Sequence, residues 1–141
     1  MNPLIIKYEG CKLVCYFDTG FVPTIGYGST RGLLKADVGV KRITNAQAAE
    51  MLRAELPLYE RIITRRCPGL SLNRQIAMTS FVYNLGEGAL DGKSTEVAKH
   101  INAKRWQMAA AGMMFYIRDN GVILNGLVTR RAEEASYLIK G

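Results

Sequence analysis

The chain has 141 residues, enough for one compact domain that buries its own core without disulfide support. A hydrophobic fraction of 48% with 22% charged residues excludes a mostly disordered chain. Nineteen Lys and Arg against twelve Asp and Glu leave a formal charge of +7, so the surface attracts polyanions: nucleic acid, anionic membrane and bacterial envelope all qualify.

Asn2 followed by Pro3 reads as an N-cap with proline at the first helical position, and Leu4, Ile5 and Tyr8 give a short apolar face that ends at Gly10. Glu9 therefore closes a brief first helix. The apolar triplet Leu4, Ile5 and Ile6 is too short for a signal-peptide core or a membrane span, so export relies on another factor or on residues beyond this N-terminus. Residues 13–43 alternate β-branched and aromatic residues with glycines, as the short hairpin strands of a small twisted sheet do.

Thr44-Asn45-Ala46-Gln47 has the form of a capping box, and Ala48, Leu52, Leu56, Tyr59 and Ile63 then recur at helical spacing, predicting a long helix over 44–66 with a kink at Pro57. Ser71 caps a further helix that Gly86 stops. Three more helices follow, opened by Ser94-Thr95, by the Trp106 stretch and near Leu127, with the Ala109–Met114 run packed tightly against its neighbours. The fold class expected is α+β.

Cys11, Cys15 and Cys67 are odd in number, which argues against a closed disulfide framework, and with a single histidine they make a poor metal set. Free thiols are expected. Cys11 lies two residues from Glu9, which leaves redox control of that position open. His100 reads as a surface residue with no partner.

Glu9 and Asp18 are the only acids before Asp37, and the segment between them is apolar and aromatic apart from Lys12. Two readings are open on spacing alone. In one, Glu9 pairs with Lys12 at the surface and Asp18 makes an Asp-x-Gly turn. In the other the two carboxylates divide the labour that glycosidic cleavage requires, one protonated to assist the leaving oxygen and one ionised to act on water or sugar. Burial of Glu9 at a helix C-terminus would disfavour its charged form, whereas turn N–H donors would keep Asp18 ionised.

The residues around this pair carry a pattern: Glu9-Gly10, Tyr16, Asp18, then Pro23-Thr24-Ile25-Gly26-Tyr27-Gly28. It resembles the catalytic segment of phage-type lysozymes, the endolysins of glycoside hydrolase family 24. The resemblance runs on through Ile43-Thr44 with Gln47-Ala48 and Leu52, through Gln75, Ala77, Ser80-Phe81, Asn84 and Gly86, and through Gly126-Leu127-Val128-Thr129-Arg130-Arg131 with Glu134.

The resemblance implies a lysozyme-like fold in a single domain, 1–141: a β-rich lobe at about 13–43, an interlobe helix at about 44–66, a helical lobe at about 67–141 joined by the N-terminal helix, and an active-site cleft between lobes. It implies a muramidase that cuts peptidoglycan without metal or cofactor, with Glu9, Asp18 and Thr24 as the catalytic triad. Tyr27 and Asn84 are candidate substrate contacts, ahead of Tyr8, Phe81, Tyr83 and Trp106. The implied partners are the glycan strand and the anionic envelope. The expected state is a monomer made in a host cytoplasm and acting in the periplasm and cell wall, with no specific nucleic acid and no membrane span.

Two other classes compete: a catalytically silent wall-binding module, against which the intact triad weighs, and a nucleic-acid-binding protein. For the latter the basic pairs Lys41-Arg42, Arg65-Arg66 and Arg130-Arg131 are scattered and join no nucleic-acid motif. Where many relatives have histidine after Gly-Tyr-Gly, this chain has Ser29, which removes a potential structural ion pair. Arg130 and Glu134 stand in the weaker i,i+4 order for a surface pair, so one of Arg130 or Arg131 is expected to turn inward, toward Glu9 or a cleft wall.

Overall fold

A computed structural model describes residues 1–141. Helix α1 (Pro3–Glu9) begins as the Asn-Pro pair predicts, for the Leu4 N–H donates to Asn2 Oδ1 at 3.0 Å. Strands β1 (Lys12–Phe17) and β2 (Pro23–Gly26) pair antiparallel, with Tyr16 opposite Thr24, Phe17 opposite Pro23 and a bulge between Lys12 and Tyr16. Helices α2 (Asn45–Arg66), α3 (Leu72–Leu85), α4 (Val97–Asn102) and α5 (Trp106–Met113) follow. A second hairpin, β3 (Arg118–Asp119) with β4 (Val122–Ile123), precedes α6 (Asn125–Lys140). The α+β class holds, with six helices and small antiparallel sheets.

The chain forms two compact units, the first made of Met1 and Ile5–Pro57, the second of Asn2–Leu4 and Leu58–Gly141. In the first, Ile5, Cys15, Ile25, Ala48, Leu52 and Leu56 are the buried apolar side chains. The region 13–43 is less strand-rich than expected. Past β2 the backbone makes a tight turn in which Ile25 and Ser29 exchange both backbone hydrogen bonds at 2.9 Å, with Gly26 and Gly28 at φ of 66° and 84°. Only glycine takes such angles without strain. The 39–43 stretch then lies along β1 through the Cys15 N–H to the Lys41 carbonyl and the Ile43 N–H to the Leu13 carbonyl, a partial third strand.

Helix α2 opens on the predicted capping box: the Gln47 N–H donates to Thr44 Oγ1 at 3.1 Å, and the Thr44 N–H to Gln47 Oε1 at 2.8 Å. It continues unbroken through Pro57, which supplies no N–H to its own turn. No helix is long and apolar enough to cross a membrane.

In the second unit, Ser71 caps α3 and Gly86 ends it, as the sequence indicated. The core gathers Ile63, Met78, Phe81, Val82, Leu90, Val97, Ile101, Met113 and Leu138. The Ala109–Met114 run lies in α5, and Gly112 is its point of closest approach: a Cβ there would sit 2.7 Å from the Thr95 carbonyl oxygen. Gly112→Ala is expected to cost about 1–3 kcal/mol through this overlap, read as a lower urea midpoint. An unchanged midpoint would show that α5 is free to move away.

Candidate active site

Glu9, Asp18 and Thr24 all belong to the first unit, and three local devices hold them. Glu9 is the last residue of α1, half-buried, and Gly10 at φ 64° turns the chain into β1. Asp18 sits at the head of the turn that joins β1 to β2. The Gly20 and Val22 N–H groups donate to its Oδ1 at 2.8 and 2.9 Å, and its own N–H donates to the Val22 carbonyl at 3.0 Å. One carboxylate oxygen thus closes the turn, and Oδ2 carries no such bond. Thr24, on β2, is buried at 4% exposure and donates its hydroxyl to the Val22 carbonyl at 2.8 Å. With its proton committed, Thr24 Oγ1 can only accept from a further partner.

Tyr16 ties the three together. The register sets it directly opposite Thr24, and strand alternation sets it on the face of Asp18, two residues on. The Tyr16 phenol is pushed above the usual tyrosine value, first by its burial and then by the negative fields of Glu9 and Asp18. Both carboxylates therefore act on one phenol. Lys12 Nζ lies 4.3 Å from the same ring's centroid, so Lys12 is held against Tyr16. Tyr16 was visible in the sequence only as part of the motif, because its place between two acids depends on the hairpin register.

The other candidates separate. Tyr27 is half-buried in the Gly26–Gly28 turn of the first unit. Asn84 is half-buried in the second unit, where its Oδ1 accepts from Arg131 Nη2 at 2.6 Å and its amide N–H groups stay available. Phe81 is fully buried, with the Tyr116 ring edge-on at 5.4 Å, so it is core and not a surface contact. The Tyr83 ring packs at a 58° tilt on Tyr59, with centroids 4.9 Å apart. His100 has a partner after all, since its Nδ1 accepts from Arg105 Nε at 3.1 Å. Ser29 is buried and donates to Glu55 Oε2 at 3.0 Å, a hydroxyl-to-carboxylate bond where an ion pair was forgone. The three cysteines are free. No three His, Cys, Asp or Glu side chains are grouped to hold a metal ion.

Not one but both of Arg130 and Arg131 turn inward, at 3% and 0% exposure, around Glu134 at 0%. Glu134 Oε1 accepts from the Ser80 hydroxyl at 2.6 Å and from Arg130 Nε at 3.2 Å, while Arg131 Nε lies 3.1 Å from Oε2. Arg130 Nη2 also donates to the Ser80 carbonyl at 3.2 Å, and the Arg131 guanidinium lies 5.1 Å from the Phe81 ring centroid. Burial pushes the Glu134 carboxyl up from the usual carboxylate range, and Arg131, Ser80 and Arg130 pull it back. The sequence pointed one of the two arginines inward, but gave no sign that both would be buried together with Glu134.

Two outcomes are expected. Carbon-labelled tyrosine NMR should show Tyr16 ionising above the ordinary value, and Glu9→Gln or Asp18→Asn should each lower it, because a negative neighbour disfavours the phenolate. No change in either variant would separate the carboxylates from Tyr16. Glu134→Gln should cost about 3–5 kcal/mol in urea unfolding, since it removes the buried charge that both guanidinium groups face. A loss below about 1 kcal/mol would mean that ordinary hydrogen bonds suffice there.

A family model described as phage lysozyme matches residues 6–134. The endolysin of Salmonella phage P22 is 31% identical over 94% of this chain and 90% of its own length. The endolysin of Bacillus phage PZA is 31% identical over 98% of this chain and 53% of its own length, so the chain spans about half of that relative. The crystal structure of the active form of P1 phage endolysin superposes with a TM-score of 0.82 at 28% identity, over 98% of this chain and 82% of that one.

Proposed function

The chain belongs to the phage lysozyme family, and on that premise we propose that it hydrolyses peptidoglycan as a muramidase, cutting the β-1,4 bond between N-acetylmuramic acid and N-acetylglucosamine. The observation that carries this reading is the Tyr16 phenol in the joint field of Glu9 and Asp18, with Thr24 across the strand pair.

In this reading Glu9 is the general acid and donates its proton to the leaving glycosidic oxygen. Asp18 is the base. Its Oδ1 is held by two backbone N–H groups, so Oδ2 is the oxygen that takes a proton from the attacking water. Through its other hydrogen, which it keeps, the same water donates a hydrogen bond to Thr24 Oγ1, whose own proton is committed to the Val22 carbonyl. Held at two points, the water aims a lone pair at the anomeric carbon, and displacement through water inverts that centre. The scheme moves protons and one water, with no metal or cofactor.

Tyr27 and Asn84 are the proposed sugar contacts. Asn84 offers amide N–H groups to an acetamido carbonyl, because Arg131 already occupies its oxygen. The net charge of +7 suits an envelope rich in phosphate and carboxylate. Synthesis in a host cytoplasm, action in the periplasm and cell wall, and a monomeric state complete the reading.

Purified peptidoglycan, scored for new reducing ends, tests the scheme. Glu9→Gln is expected to lose roughly 10²–10⁴-fold in rate. Thr24→Ala should lose less, since the water keeps its base. A fully active Asp18→Asn enzyme would remove the two-carboxylate mechanism, and equal rates for Glu9→Gln and wild type would remove the acid.

A further inference from the structure

A second concave region, within the second unit, plays no part in that scheme. A cavity of about 530 Å³ opens where the α2–α3 link meets the α4–α5 link, walled by Leu70, Arg74, Ile101, Asn102, Lys104 and Trp106 among others. That volume is in the range of small-ligand sites, roughly 300–1,000 Å³.

Its polar groups converge on one chemistry. Arg74 is fixed twice: Nε donates to the Leu138 carbonyl at 2.9 Å, and the guanidinium carbon lies 3.8 Å from the Trp106 ring centroid. No side-chain carboxylate pairs with it, and no acidic side chain lines the cavity. A guanidinium stacked on an indole and tethered at Nε keeps its Nη edge as a planar fork, the geometry that receives a carboxylate at two points. The Gly141 backbone packs against the guanidinium group itself, for a Cβ there would sit 3.0 Å from Nη2, 3.1 Å from Cζ and 3.4 Å from Nη1. Lys104 adds a second cation on the rim. Its backbone is held at φ 57°, a left-handed angle that a lysine adopts at a cost. Asn102 donates to the Arg66 carbonyl at 2.9 Å, which leaves its own carbonyl oxygen to accept a peptide N–H. Leu70 and Ile101 supply an apolar wall.

We propose that this pocket binds the terminal carboxylate of a short peptide, supplied on the bacterial wall by the peptide stems of the glycan. The preference for a carboxylate stands on the pocket alone. The stem as its source rests on the wall-hydrolase reading.

Trp106 is the chain's only tryptophan, so its fluorescence reports on the pocket. Acetyl-D-alanyl-D-alanine is expected to change the emission saturably, and the C-terminal amide of that dipeptide to bind about tenfold more weakly. Arg74→Lys keeps the charge without the fork and should also weaken the acid about tenfold. Lys104→Gln alters an exposed side chain and should weaken it about threefold through lost attraction. No response, or equal responses to acid and amide, overturns the carboxylate site whatever the activity on walls. The source is read separately: Lys104→Gln should raise KM on stem-bearing peptidoglycan and leave it unchanged on glycan stripped of stems. An equal rise on both overturns the stem assignment, and a failure of wall hydrolysis itself leaves the dipeptide titration intact.

Discussion

Side chains alternate along a strand, so the pairing of Tyr16 with Thr24, and not with a neighbour, decides which groups share the face that carries Asp18. A slip of one residue would turn Thr24 away and bring Pro23 or Ile25 in its place. Two features oppose that slip. Asp18 locks the connecting turn through Gly20 and Val22, and Gly26 and Gly28 lock the far end of β2 by closing the Ile25–Ser29 pair. The aspartate assigned to the chemistry is therefore also the clasp of the hairpin. Its two oxygens are unequal, one structural and one open.

The second unit uses charge differently. Two guanidinium groups and one carboxylate are buried between α3 and α6, an arrangement that replaces bulk hydration by hydrogen bonds from Ser80 and to Asn84. Such clusters stabilise little relative to apolar packing, but they admit few alternative arrangements. Here the fixed groups include Asn84, whose amide is oriented because Arg131 takes its oxygen. A buried ion cluster thus sets the direction in which a half-buried amide offers its donors.

Much of this was written locally in the chain. Asn2-Pro3, the Thr44–Gln47 box, and Ser71 with Gly86 each mark a helix end by a bond within a few residues, and each bond is present. The Glu9, Asp18 and Thr24 spacing likewise follows from one short helix and one hairpin. The β3–β4 hairpin went unread although Asn120-Gly121 announces it, with φ of 50° and 79°, because strands of two residues show no alternation. The burial of Arg130, Arg131 and Glu134 was legible only in part, since their partners Ser80 and Asn84 lie about fifty positions away. Long-range partners leave no trace in local spacing.

Ser29 brings a different consequence. A hydroxyl donor has no proton to gain or lose near neutrality, so its bond to Glu55 does not depend on the charge of an imidazole. With His100 as the only histidine, the chain holds a single side chain of the type that ordinarily changes charge between about pH 5 and 8. The first unit has no histidine at all, so no imidazole within it can couple its packing to a change of pH near neutrality.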